Sequence, residues 1–128
     1  ILLDTFLPVC TPVQNALPLW LAEQNNIHHE IYDRLNSNLS LLSKSLSDYP
    51  SINLLKPEGG WYAILRIPQT QSEEAWCLEF LEKDHVLVHP GYFFDFEEEA
   101  HLVLSLLPPS IIFAEGLNRI LKRIHLAS

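Results

Sequence analysis

Apolar residues recur at helical spacing in the first half of the chain. Six of them follow one another at intervals of three or four residues: Ile27, Ile31, Leu35, Leu39, Leu42 and Leu46. This spacing places them on one stripe of a helix, and it predicts a long helix from about Asn26 to Asp48. Tyr49-Pro50 ends this helix, because the residue before a proline avoids helical angles.

A shorter helix is predicted upstream, starting at Thr11-Pro12. Threonine is a common N-cap, and proline fits the first helical position. Pro18 lies inside this helix and has no N–H to bond back, so we expect a kink there.

The remainder of the chain alternates short strands with helices. Apolar and aromatic runs between turn residues predict the strands, and Ser72 and Pro108-Pro109 are helix-start signals. The predicted order is a strand at Ile52–Leu55, a strand at Trp61–Ile67, a helix from Ser72 to about Lys83, strands at Val86–Val88 and His101–Leu107, and a last helix carrying Phe113, Leu117, Ile120 and Ile124. The predicted fold class is α/β. It is a two-layer sandwich in which a long connecting helix precedes a small, mostly antiparallel sheet of three or four strands covered by helices.

Composition narrows the class of protein. The chain has 128 residues, of which 48% are hydrophobic and 19% charged, which fits one domain with a packed core. No apolar run is long enough to span a bilayer, and a net charge of −8 argues against nucleic acid, which needs a basic face. Cys10 and Cys77 lie in separate apolar contexts, so we expect buried, reduced thiols. The chain opens on Ile1 and has no methionine, from which we expect a processed chain, a truncated chain or a proteolytic fragment.

No complete catalytic motif is present in the sequence. A phosphate loop, a dinucleotide-binding glycine pattern, a nucleophile elbow and a zinc-protease motif are all absent. His28 and His29 are neighbours on a predicted helix and point about 100° apart, so no metal site is expected. The acidic run Asp95–Glu99 is interpreted as a solvated loop.

Two glycine-containing turns are the most specific features. One is Pro57–Tyr62, and the other is Val86–Phe94. Glycine lets the backbone approach a ligand closely, and a Pro-Gly after a short strand makes a tight turn. Taken singly, each is interpreted as an ordinary turn.

Taken in order, these segments resemble the small C-terminal domain of fold-type-I, class I/II pyridoxal-phosphate-dependent aminotransferases. That family typically has Pro-x-Gly-Gly with two aromatic residues, then Gly-Val-x-Val-x-Pro-Gly-x-x-Phe, then a strand with Arg-Leu-Ser and a terminal helix. Pro57–Tyr62 matches the first motif, and Val86–Phe94 matches the second, with His85 in place of the glycine. Phe113–Ile124 matches the terminal helix, and Thr11–Gln14 resembles the helix before the connecting helix.

The resemblance implies an activity and a domain organisation. Residues 26–128 would be the small domain, and residues 1–25 a remnant of the large domain or connecting segment. The parent enzyme would be a cytoplasmic homodimer that transfers an amino group between an amino acid and a 2-oxo acid with pyridoxal phosphate. In the family the lysine that carries this cofactor lies upstream, and the context of Lys44, Lys56, Lys83 and Lys122 does not match it. We therefore expect a chain without catalytic or cofactor-binding residues, inactive without the rest of the same polypeptide.

The resemblance also implies a substrate-pocket rim, which consists of Gly59, Gly60, Trp61, Pro90, Gly91, Tyr92 and Val103. The family's carboxylate-binding arginine stands two residues before the strand serine, and Val103 occupies that place here. Valine cannot pair with a carboxylate. Arg66 is a possible replacement, and a solvated arginine is the competing interpretation. Strand alternation puts Val103 opposite the leucines, toward the substrate, unless both faces of the strand are buried.

A second class of function fits the same sequence. The chain would then be a free-standing α/β ligand-binding or regulatory interaction module without catalysis. The encoding frame upstream of Ile1 separates the two, because a Ser-x-x-Lys-like segment supports the enzyme and a start codon just before Ile1 supports the module.

Overall fold

The computed structural model describes residues 9–127, so the apolar segment 1–8 lies outside the described residues. It divides into two units, residues 1–32 and 33–128. Helix α1 runs over Thr11–Leu46. The two predicted helices are therefore one, and the start of the long helix at Asn26 was wrong. Asparagine costs a helix only about 0.7 kcal/mol relative to alanine, and no glycine or proline follows Pro18 within α1 to end it.

The sheet has four antiparallel strands in the order β1-β2-β4-β3. Their bounds are β1 Asn53–Leu54, β2 Tyr62–Arg66, β3 His89–Pro90 and β4 His101–Ser105. The predicted strand at Val86–Val88 was wrong, because the ladder to β4 forms at His89–Pro90 instead. Proline is compatible with this position since β3 is an edge strand and need not donate a hydrogen bond on both sides.

Helices cover one face of the sheet and form the second layer. Helix α2 spans Glu73–Glu79 and continues into a π-helical turn over Phe80–Asp84, and helix α3 spans Ser110–Ala127. The predicted N-cap is confirmed, because the backbone N–H of Ala75 donates to the Ser72 hydroxyl at 3.2 Å. The two-layer α/β sandwich is thereby confirmed.

The hydrophobic core lies between the sheet and these helices. Its buried members include Ala63 and Leu65 from β2, Leu102 and Leu104 from β4, Trp76 and Phe80 after Ser72, and Phe113, Leu117, Ile120 and Ile124 from α3. Helix α1 contributes Leu42 and Leu46, with Leu35 and Leu39 partly buried against them. Burial of the whole predicted stripe was wrong, since Ile27 is 54% exposed.

A buried amide fixes α1 to the chain that follows β4. Asn38 is fully buried, and its side-chain N–H groups donate to the carbonyl oxygens of Leu106 and Pro108, both at 2.9 Å. Over residues 9–127, the structure contains no helix that combines the length and apolar character needed to span a membrane.

Candidate functional site

The sheet face opposite the helices carries an open depression of ≈ 460 Å³. Ile64 and Val103 are paired across β2 and β4 and form part of its floor. The turn before β2 contributes Gly59, and the loop after β3 contributes Phe94. We call this the sheet-face depression.

Two environments were considered for Val103 from the sequence, the substrate-facing side of the sheet and a buried position, and the structure shows features of both. It is only 2% exposed, yet it lies outside the core cluster that contains Leu102 and Leu104. Val103 therefore lies on the face of β4 opposite Leu102 and Leu104, as the alternation predicted. It lines the same depression as Gly59.

The other residues of the first turn stay at its outer edge. Gly60 adopts a left-handed conformation with φ +75°, which explains a glycine at this position. Trp61 is 48% exposed and does not line the depression. Its ring centroid lies 6.5 Å from that of Tyr62, and the Tyr62 ring lies 5.6 Å from Phe94. The exposed rings of Tyr62 and Phe94 therefore form one wall of the sheet-face depression, and Trp61 packs outside it.

Pro90 and Gly91 are buried and lie outside the depression. A Cβ at residue 91 would stand 2.7 Å from Cβ of His101 and 3.0 Å from Oε1 of Glu73, so only glycine fits. Tyr92 lines a separate acidic depression with Glu73 and Glu74. Burial, together with the nearby Glu74 carboxylate, raises the pKa of the Tyr92 phenol.

Glu73 is the residue that the sequence analysis missed. It is 3% exposed, and its carboxylate accepts the backbone N–H of Tyr92 at 3.1 Å and that of His101 at 2.6 Å. This carboxylate therefore fixes the short 3-10 helix Gly91–Phe94, and with it the Phe94 wall. The only sequence signal is an acidic residue in the first turn after Ser72, which ordinarily interacts with the helix N-terminus.

Arg66 lies on the same face but away from the depression. Its guanidinium pairs with the Glu98 carboxylate at 3.4 Å, and the two side chains are 57% and 75% exposed. Its predicted role as a carboxylate binder stays a prediction.

Charged residues around Asp84 form a structural network. Arg123 donates to both carboxylate oxygens of Asp84, and Arg119 donates to the Asp84 backbone carbonyl at 2.7 Å. The hydrogen bonds from Arg123 lower the pKa of the Asp84 carboxyl. Burial, with smaller contributions from Glu73 and Glu74, raises the pKa of the Cys77 thiol to about 11. Cys77 is partly buried and Cys10 is exposed, so the predicted burial of Cys10 was wrong. Within the described part of the chain, no three His, Cys, Asp or Glu residues are grouped to hold a metal ion.

Comparison with known proteins identifies a relative of this chain. No protein-family model matches the chain. The tyrosine aminotransferase of Caenorhabditis elegans is 28% identical over 100 residues, which cover 75% of this chain and 21% of the relative. Over three quarters of its length the chain is similar to an aminotransferase. The resemblance to aminotransferases that the sequence indicated is thereby confirmed.

Solved aminotransferase structures share the fold. The pyridoxal-phosphate-dependent aminotransferase from Streptococcus suis matches with a TM-score of 0.76 at 21% identity, covering 84% of this chain and 28% of that one. The alanine aminotransferase from Pyrococcus furiosus matches with a TM-score of 0.66 at 27% identity, covering 77% of this chain and 25% of that one. The chain thus spans between 21% and 28% of the length of these aminotransferases.

The lining of the sheet-face depression does not by itself fit pyridoxal phosphate. A phosphate ester is usually bound by several backbone N–H groups or cationic side chains that converge on it. The sheet-face depression is lined by one cation, Lys56, and by one carboxylate, Glu58, among apolar and aromatic residues. This lining suits a ligand whose apolar group contacts the apolar and aromatic residues and whose single anionic group pairs with Lys56.

Proposed function

We propose that the chain is the C-terminal small domain of a fold-type-I pyridoxal-phosphate-dependent aminotransferase. The enzyme transfers an amino group between an amino acid and a 2-oxo acid, and the cofactor, when bound, supplies the electron sink. The match that covers 84% of this chain and only 28% of an aminotransferase supports this assignment to one domain of a larger enzyme. We further propose a cytoplasmic homodimer.

Residues 26–128 are proposed to form the small domain, and residues 1–25 to belong to the connecting segment. The proposed substrate rim consists of Gly59, Gly60, Trp61, Pro90, Gly91, Tyr92 and Val103, with Arg66 as a possible carboxylate binder. The aromatic wall at Tyr62 and Phe94 supports the proposal that the substrate binds on this face of the sheet. Exposed rings exclude water from a ligand when a second surface covers them.

The lysine that carries the cofactor is proposed to lie outside this chain. Lys44 stands on α1, Lys56 stands at the depression, and Lys83 is paired with Glu79. Lys122 lies on α3 beside Arg123. The cations nearest Lys122 are Lys83, Arg119 and Arg123, and all three are paired with carboxylates. The chain alone is therefore proposed to be inactive.

An activity assay of the protein expressed from the complete reading frame that contains this chain tests the proposed function. We expect the protein expressed from it to transfer the amino group of an amino acid to a 2-oxo acid. A start codon just before Ile1 and a protein without transaminase activity would favour the alternative, a free-standing ligand-binding or regulatory module.

The 128-residue chain tests the position of the cofactor lysine. We expect no stoichiometric, borohydride-trapped adduct by mass spectrometry after mixing with pyridoxal phosphate and desalting. The complete enzyme, treated alongside, should give one adduct per chain. A single modified lysine in the 128-residue chain would contradict the proposal.

A further inference from the structure

We propose that the sheet-face depression binds a monocarboxylate with an aromatic or apolar side chain, that Lys56 holds its carboxylate, and that Glu58 repels dicarboxylates. The inference rests on the proposed function in one respect, namely that the ligand is an amino acid or a 2-oxo acid. It names the substrate class and assigns roles to two residues outside the rim described above.

The floor and one wall of the depression are apolar. Val103 is 2% exposed and Ile64 is half-buried, and they stand side by side across β2 and β4. The tilted pair of Tyr62 and Phe94 bounds them at a centroid distance of 5.6 Å. Apolar surface of this kind favours an aromatic or branched side chain, because burial of the ligand removes apolar area from water. The volume of ≈ 460 Å³ lies within the range of small-molecule sites.

Two charges of opposite sign complete the lining. Lys56 and Glu58 stand two residues apart in the turn, and neither forms an ion pair within residues 9–127. By contrast, Lys83, Arg119, Arg123 and Arg66 are all paired with carboxylates. Lys56 is therefore the available cation of the depression, and a carboxylate that enters it has one partner.

Glu58 provides selectivity by repulsion. A ligand with one carboxylate is neutralised by Lys56, whereas a second carboxylate meets no further cation in the lining and approaches Glu58. Juxtaposed like charges discriminate against the wrong ligand even when the attractive contacts are the same. The depression therefore favours phenylpyruvate over 2-oxoglutarate.

The test is an amide-shift titration of the isotopically labelled 128-residue chain with each of these two acids. With phenylpyruvate, we expect saturable shifts at Gly59, Tyr62, Phe94 and Val103, and weaker binding of 2-oxoglutarate. Lys56→Gln should weaken phenylpyruvate binding about twofold to fivefold, which is the range of an exposed ion pair. Lys44→Gln is the matched control, because Lys44 is also exposed and has no ion-pair partner among the described residues but lies on α1. It should leave the affinity unchanged.

Glu58→Gln tests the repulsion, and it should narrow the preference for phenylpyruvate by raising the affinity for 2-oxoglutarate. Shifts at other residues, equal affinity for both acids, or unchanged binding in Lys56→Gln would each overturn the inference. An active aminotransferase that prefers dicarboxylates would overturn the inference and leave the proposed function standing. If the titration gives the expected result but the complete protein has no transaminase activity, the inference about the depression stands and the proposed function is overturned.

Discussion

Replacement of Glu73 by alanine should destabilise the chain far more than its position in a first helical turn suggests. The carboxylate is 3% exposed and accepts two backbone N–H groups, from Tyr92 at 3.1 Å and from His101 at 2.6 Å. Hydrogen bonds to a charged group contribute about 1.5–3 kcal/mol each, and the variant no longer desolvates a carboxylate, which offsets part of the loss. We therefore expect the free energy of unfolding to fall by about 2–4 kcal/mol.

Urea unfolding monitored by circular dichroism measures this change. Glu74→Ala is the matched control, because Glu74 occupies the same helical turn but is exposed, so it loses only the helix-dipole term of about 0.3–1 kcal/mol. Glu73→Gln keeps one acceptor oxygen and should fall between the two. Hydrogen exchange at the Tyr92 and His101 amides should accelerate in Glu73→Ala. If the two alanine variants unfold within about 0.5 kcal/mol of each other, the clamp contributes nothing and the reasoning is refuted.

Three substitutions and one thiol reaction test the burial of individual side chains. Leu42→Ala should lower the free energy of unfolding by about 2–5 kcal/mol, whereas Ile27→Ala, at an exposed site, should change it by less than about 0.5 kcal/mol. Iodoacetamide at pH 8 should leave Cys77 largely unmodified, because its pKa of about 11 keeps the thiol protonated, and the rate should rise about tenfold per pH unit toward pH 11. Val103→Arg should stay folded by circular dichroism at a cost of about 1–3 kcal/mol, because the guanidinium can extend into the depression, and an unfolded variant would show that residue 103 is enclosed.

The sequence predicted those elements whose local pattern agrees with their tertiary partners. Strand β2 and strand β4 combine β-favouring residues with clear turn boundaries, and both formed where they were expected. The segment Val86–Val88 has a high strand propensity, yet the pairing with β4 falls on His89–Pro90. Register depends on the partner strand, and local propensity does not contain that information.

The candidate site was predicted only in part for the same reason. The sequence indicated both glycine turns. Of their three glycines, Gly59 lines the sheet-face depression, whereas Gly60 and Gly91 do not. Gly91 was placed in the same rim, whereas its role in the structure is close packing against His101 and Glu73. The two N–H groups that Glu73 accepts come from residues 19 and 28 positions away, a separation at which helical periodicity carries no signal.

The clamp at Glu73 connects the stability of the fold to the selectivity of the depression. Glu73 holds the Gly91–Phe94 turn, and Phe94 forms the aromatic wall with Tyr62. Loss of the clamp should therefore weaken phenylpyruvate binding in chains that are still folded, because the wall is no longer held against the ligand. Leu42→Ala lowers stability by a similar amount from the opposite face of the sheet, and it should leave that affinity unchanged. Equal affinities in the two variants, measured well below their unfolding midpoints, would show that Phe94 is held by contacts other than this carboxylate.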